Sequence, residues 1–158
     1  MRQFFKSVAK ISTASSIACA VTFASALSAS AQSEQGLDGH YVGGSFQTGS
    51  GITSLGIYGR YDFPKLPVSV RGSIAVIDND NDTETFFQPA VTYDLPIGDK
   101  ANAYAGAGLA FGSGDSTAFL NAGAETEIAT NVVAFGDLII PLDDDADTGF
   151  GIGLGYRF

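Results

Sequence analysis

The chain has 158 residues, enough for one domain and short for two. Seventeen acidic residues against eight basic ones give a formal charge of −9, which repels nucleic acid and excludes a role that tracks phosphates. Its one cysteine, Cys19, leaves no internal disulfide to staple a fold.

The first 31 residues differ from the rest. Arg2, Lys6 and Lys10 make a basic start, an apolar small-residue stretch follows, and Ala29-Ser30-Ala31 fits the small-x-small rule for cleavage. This order reads as a secretory signal, so the mature chain is expected to span 32–158. That part keeps all 17 acidic residues and five basic ones (Arg60, Lys65, Arg71, Lys100, Arg157), a formal charge of −12. No run of about 20 apolar residues follows residue 31, so no membrane helix is expected.

Turn compositions then interrupt the sequence at regular intervals: "TGSG" (48–51), "DFPKLP" (62–67), "DNDNDT" (78–83), "LPIGDK" (95–100), "GSGDST" (112–117), "ATN" (129–131) and "DDDADT" (143–148). Between them lie eight segments, roughly 40–48, 52–61, 68–77, 84–94, 101–111, 117–128, 131–141 and 149–158. Their lengths suit tilted membrane strands of about 9–11 residues.

Alternation is the period of a strand, and every segment offers one face without charge. The first presents Val42 and Phe46, the second Leu55, Ile57 and Tyr61, and the third Val70, Ile74 and Val76. The fourth presents Phe87, Val91 and Tyr93, the fifth Leu109 and Phe111, and the sixth Leu120 and Ile128. The seventh is ambiguous: beside Leu138 and Ile140 on one face, Val133, Phe135 and Ile139 make the other apolar too. The eighth, "GFGIGLGYRF", sets Phe150, Ile152, Leu154, Tyr156 and Phe158 against a nearly bare glycine face. Pro89 falls mid-segment, where it lacks a ladder donor, so a bulge is expected there.

The opposite faces are dominated by small residues, as the crowded interior of an eight-stranded barrel demands. They also hold charges: Arg60, Arg71, Glu84, Glu125, Glu127, Asp137 and Arg157. Buried charges need partners, so Arg60, Arg71 and Arg157 are expected to pair with Glu84, Glu125, Glu127, Asp62 or Asp137 across a filled lumen.

The final strand, with its alternating apolar residues and Phe158, resembles the terminal strand of Gram-negative outer-membrane β-barrels. "AYAGAGLAF" (103–111) is similar to glycine-alanine strands of the small OmpA-like and opacity-type porin-fold proteins. The resemblance spans nearly all of the mature chain. It implies an all-β fold, an eight-stranded antiparallel up-and-down transmembrane barrel in the cell outer membrane. It also implies lipid and lipopolysaccharide as surroundings, and recognition of Phe150, Ile152, Leu154, Tyr156 and Phe158 by the barrel-assembly machinery during insertion. Such barrels keep their short turns on the periplasmic side, with the termini. That orientation sends the acidic loops outward: Asp78, Asp80, Asp82, Asp143, Asp144, Asp145 and Asp147.

"DNDNDTE" has the alternating carboxylates of a calcium loop, but Thr83 stands where glycine is needed and Pro89 where glutamate is needed. The acidic loops therefore read as solvated turns that could bridge to lipopolysaccharide through Ca²⁺ or Mg²⁺. "GIGLG" and "GAGLAFG" lie inside strands and open no helix, so no dinucleotide cofactor is expected. His40 is the sole histidine, and without placed Ser45 or Glu125 partners it makes no catalytic group. The expected function is that of a small structural outer-membrane barrel, non-enzymatic, with no cofactor and no resident metal. A narrow cation-preferring channel and an adhesion module using the acidic loops are the alternatives.

Overall fold

The computed structural model describes residues 36–49, 52–79, 82–112, 115–143 and 146–158. The expected export signal, 1–31, lies outside the described residues, as do Asp80, Asp144 and Asp145.

Eight strands follow one another: β1 (Tyr41–Gly49), β2 (Ile52–Asp62), β3 (Val68–Asn79), β4 (Asp82–Gly98), β5 (Ala101–Gly112), β6 (Asp115–Ala129), β7 (Val132–Pro141) and β8 (Gly149–Arg157). Each pairs antiparallel with its chain neighbours, and β8 closes on β1 to complete a barrel. All eight expected segments are strands. β4 is longer than expected, because it runs on through Pro96 and leaves only Asp99–Lys100 as the turn. The ladder to β5 slips there, between Pro96 and Gly98, which is where a strand tolerates a proline.

The bulge expected at Pro89 does not form. Pro89 pairs with Gly72 on β3 in an unbroken register. On the β5 side, pairing lapses at Gln88 and Pro89 and resumes unshifted, with Phe87 opposite Phe111 and Ala90 opposite Gly108. A missing N–H costs a rung on one side of the strand; it does not require an extra residue.

The charge-free faces point outward. Val42, Leu55, Ile74, Val91, Leu120, Leu154 and their alternating neighbours are exposed on the barrel wall, as an apolar band meeting lipid requires. β7 settles its own ambiguity: Val133 (0% exposed) and Phe135 (5%) turn inward. Phe135 stacks on Tyr58 with ring centroids 4.3 Å apart and lies 5.8 Å from Tyr41. The lumen is thus not lined by small polar residues alone; it holds an aromatic layer. The bare face of β8 makes room for that layer. A Cβ on Gly155 would lie 2.6 Å from the Tyr41 ring, and one on Gly153 would collide with Phe135.

Candidate functional site

The inward faces of β2, β3, β4 and β6 bring four charges together. Arg60 and Arg71 sit directly opposite each other on adjacent strands, a like-charge pair that would repel by itself. Asp94 of β4 reaches both: Oδ2 accepts from Arg60 Nη2 at 2.9 Å, and Oδ1 accepts from Arg71 Nη2 at 2.8 Å. Glu125 of β6 closes the other side, 2.7 Å from Arg71 Nη1 and 3.4 Å from Arg60 Nε. Two guanidinium groups and two carboxylates form a ring of zero net charge, and the more exposed Asp62 lies 3.4 Å from Arg60 Nη2 at its edge. Its side chains are almost wholly removed from solvent, from 0% exposed at Glu125 to 7% at Asp94.

Further hydrogen bonds support the ring, although Arg60 Nε donates none. Arg71 Nε donates to Thr92 Oγ1 at 2.9 Å, and the Tyr41 hydroxyl donates to Glu125 Oε2 at 2.9 Å. Asn102 Nδ2 donates to Glu125 Oε1 at 3.2 Å. The Arg71 guanidinium lies 3.5 Å from the centroid of the Tyr104 ring, a cation–π contact inside a desolvated space.

Of the seven charges read from the sequence, three are in this ring: Arg60, Arg71 and Glu125. Asp137 is buried in the lumen but makes no ion pair among the described residues. It borders a void of about 10 Å³ with Tyr58, Gln88 and Asn121. The Tyr58 hydroxyl and Asn121 Oδ1 have no protein partner. Glu127 and Arg157 pair with each other at the terminal rim, where Lys100 also reaches Glu127 at 2.9 Å. Glu84 is half-buried at the other end of β4. Ten residues from Asp94, at about 3.3 Å per residue, it is about 33 Å along the strand and out of reach of either arginine.

Asp94 and Asn102 were not among the expected site residues. Both obey the alternation that marked the others: Asp94 shares its face with Thr92 and Ala90, and Asn102 with Tyr104. Asp94 was hidden by its place beside a proline-bearing turn composition, and Asn102 by its lack of charge.

The outward residues of β8, Phe150, Ile152, Leu154 and Tyr156, form one exposed stripe with Phe158 just beyond the strand. Asp78 and Asp82 lie at the tip of the β3–β4 hairpin, and Asp143 and Asp147 are exposed beyond β7. His40 stacks on Tyr61 at 4.3 Å and accepts the Asp62 backbone N–H at Nδ1, 3.1 Å away. Neither Ser45 nor Glu125 meets it: Glu125 is engaged in the ring, and the Ser45 hydroxyl has no partner. Among the described residues no three His, Cys, Asp or Glu side chains converge as a metal site would require. A cavity of about 520 Å³ opens at the terminal mouth, bordered by Leu37, His40, Arg60, Asp62, Lys65 and Asn102.

Residues 17–158 match the family described as outer membrane protein beta-barrel domain. No curated protein matches the sequence. Among solved structures, the N-terminal β-barrel domain of Pseudomonas aeruginosa OprF is similar at 19% identity and a TM-score of 0.61, covering 78% of this chain and all of that one. The Yersinia pestis outer membrane protein Ail, in a phospholipid bilayer nanodisc, is similar at 15% identity and a TM-score of 0.57, covering 77% and 100%. The de novo designed TMB2.3 gives 13% identity and a TM-score of 0.61, covering 80% and 98%. At these identities the likeness is one of fold.

Proposed function

This chain belongs to the outer membrane protein beta-barrel domain family, and from that membership we infer a structural role: a small outer-membrane barrel sealed through its lumen, passing little or no ionic current. The observation that carries this reading is the neutral ring of Arg60, Arg71, Asp94 and Glu125. An eight-stranded barrel is just wide enough for side chains to fill, and an arginine pair clasped by two carboxylates fills it with groups that resist displacement. The stripe on β8 is the surface the assembly machinery would read during insertion. The acidic residues at the end opposite the termini would meet anionic lipopolysaccharide through divalent cations, since direct contact is repulsive.

A narrow cation pathway is the second reading. Asp137 favours it, as an inward carboxylate without an ion pair beside a small polar void. Planar-bilayer recording separates the two. The sealed barrel gives little or no current, and Arg60→Ser with Arg71→Ser raises it. A large, stable, cation-selective current from the unaltered protein overturns the sealed reading in favour of the channel.

A further inference from the structure

The segment before β1 is not a passive leader into the strand. Gly36 and Gly39 both take left-handed backbone angles, φ +68° and +98°, which side chains with a Cβ rarely adopt. A Cβ on Gly36 would also lie 3.1 Å from Pro96 Cβ and collide with Asn102. Between these two bends Leu37 turns into the barrel and is 1% exposed. It joins Tyr41, Tyr58, Val133 and Phe135 in one buried cluster.

Its backbone is held as firmly as its side chain. The Leu37 N–H donates to Asn102 Oδ1 at 3.0 Å, and its carbonyl accepts from Asn102 Nδ2 at 2.8 Å. One side-chain amide thereby pairs both polar groups of one residue, as a neighbouring strand does across a hydrogen-bonded pair. Arg60 Nη1 donates to the carbonyls of Leu37 and Gly39, at 3.0 and 3.1 Å. The Asp38 carbonyl accepts from Arg157 Nη1 at 3.2 Å. Arg60 belongs to the charge ring and Asn102 donates to it, so the segment and the ring share their supports.

We propose that the terminal mouth of the barrel is a peptide-binding socket, that its ligand class is a short segment with one apolar residue between two glycine bends, and that Gly36–Gly39 occupies it in cis as a latch. Asn102 and Arg60 read the backbone, and the aromatic layer takes the leucine. The latch is a second closure between the mouth and the ring; only its effect on conductance rests on the sealed-lumen reading.

Amide hydrogen exchange of the full chain folded in phospholipid vesicles tests the latch directly. The Leu37 N–H should exchange at least about a hundredfold more slowly than in a free peptide, since its opening needs the segment to unseat. Asn102→Ala should abolish most of that protection while β1–β8 amides stay protected. Where Asn102→Ala fails to fold, Leu37→Gly removes the apolar anchor, and the amides of residues 37 and 39, bonded to Asn102 and Asp62, should lose protection in the same way. Free-peptide exchange at Leu37 in the unaltered protein overturns the proposal, as does undiminished protection in the folded variants. Bilayer current reads the other question: strong conductance with Leu37 still protected sinks the sealed lumen and leaves the latch standing.

Discussion

Replacing Arg71 with methionine removes one cation from a ring of two cations and two anions. Asp94 and Glu125 then share Arg60 alone, and Glu125 loses its shortest ion pair, 2.7 Å. Breaking a buried pair by deleting one partner costs about 3–5 kcal/mol, because a desolvated charge is left uncompensated. Glu125→Leu makes the opposite error by leaving two opposed arginines with Asp94, and should cost a similar amount. The double variant leaves Arg60 with Asp94, a complete pair at 2.9 Å, and fills the vacated space with apolar groups. Such replacements are often neutral, so the double variant should recover most of the loss, with a coupling of at least about 2 kcal/mol. Urea unfolding from vesicles reads this out. With a slope of about 2 kcal/mol per molar, each single variant lowers the midpoint by about 1.5–2.5 M, and the double variant by much less. Strict additivity of the two single losses would refute the ring as a cooperative unit.

Glycine placement on the two faces gives a second comparison. Gly155→Ala drives a Cβ against the Tyr41 ring and should lower the fraction of heat-modifiable folded band on a gel, whereas Gly44→Ala, whose Cβ meets nothing closer than 4.0 Å, should leave it unchanged. Charge on the lipid face of the last strand gives a third. Leu154→Lys introduces a penalty of about 2–4 kcal/mol at membrane depth, so membrane-assembled protein should fall well below that of Thr48→Lys, near the end of β1. Equal yields of assembled protein would argue that the outward stripe of β8 carries no part of insertion.

The period-2 alternation made the barrel legible, because a strand with lipid on one side and a packed lumen on the other leaves few residues free to choose. It was weakest at β7, where lumen and lipid both want apolar groups and only packing against Tyr41 and Tyr58 tells Phe135 from Leu138. Arg60, Arg71 and Glu125 stood out as charges on an inward face. Their shared partner Asp94 did not, because pairing depends on stagger between strands, which no single strand encodes. Glu84 has the right parity and the wrong height. Leu37 carries no signal of this kind: it lies outside any alternating run, and its burial follows from two glycine bends and one asparagine 65 residues away.

Seven of the eight ladders join strands that are consecutive in the chain, but the ladder between β1 and β8 sets Tyr41 against Arg157 and Thr48 against Phe150. That seam unites the two ends of the barrel sequence. It therefore forms only when the last strand is available, and it spans the longest loop the chain must close. Until then β1 and β8 are open edges, and each unpaired N–H or C=O placed in hydrocarbon costs several kcal/mol. A half-zipped barrel cannot wait inside the bilayer. Closure of the seam and entry into the membrane are consequently one event, and a lesion confined to this ladder should act as an assembly defect while leaving the hairpins able to form.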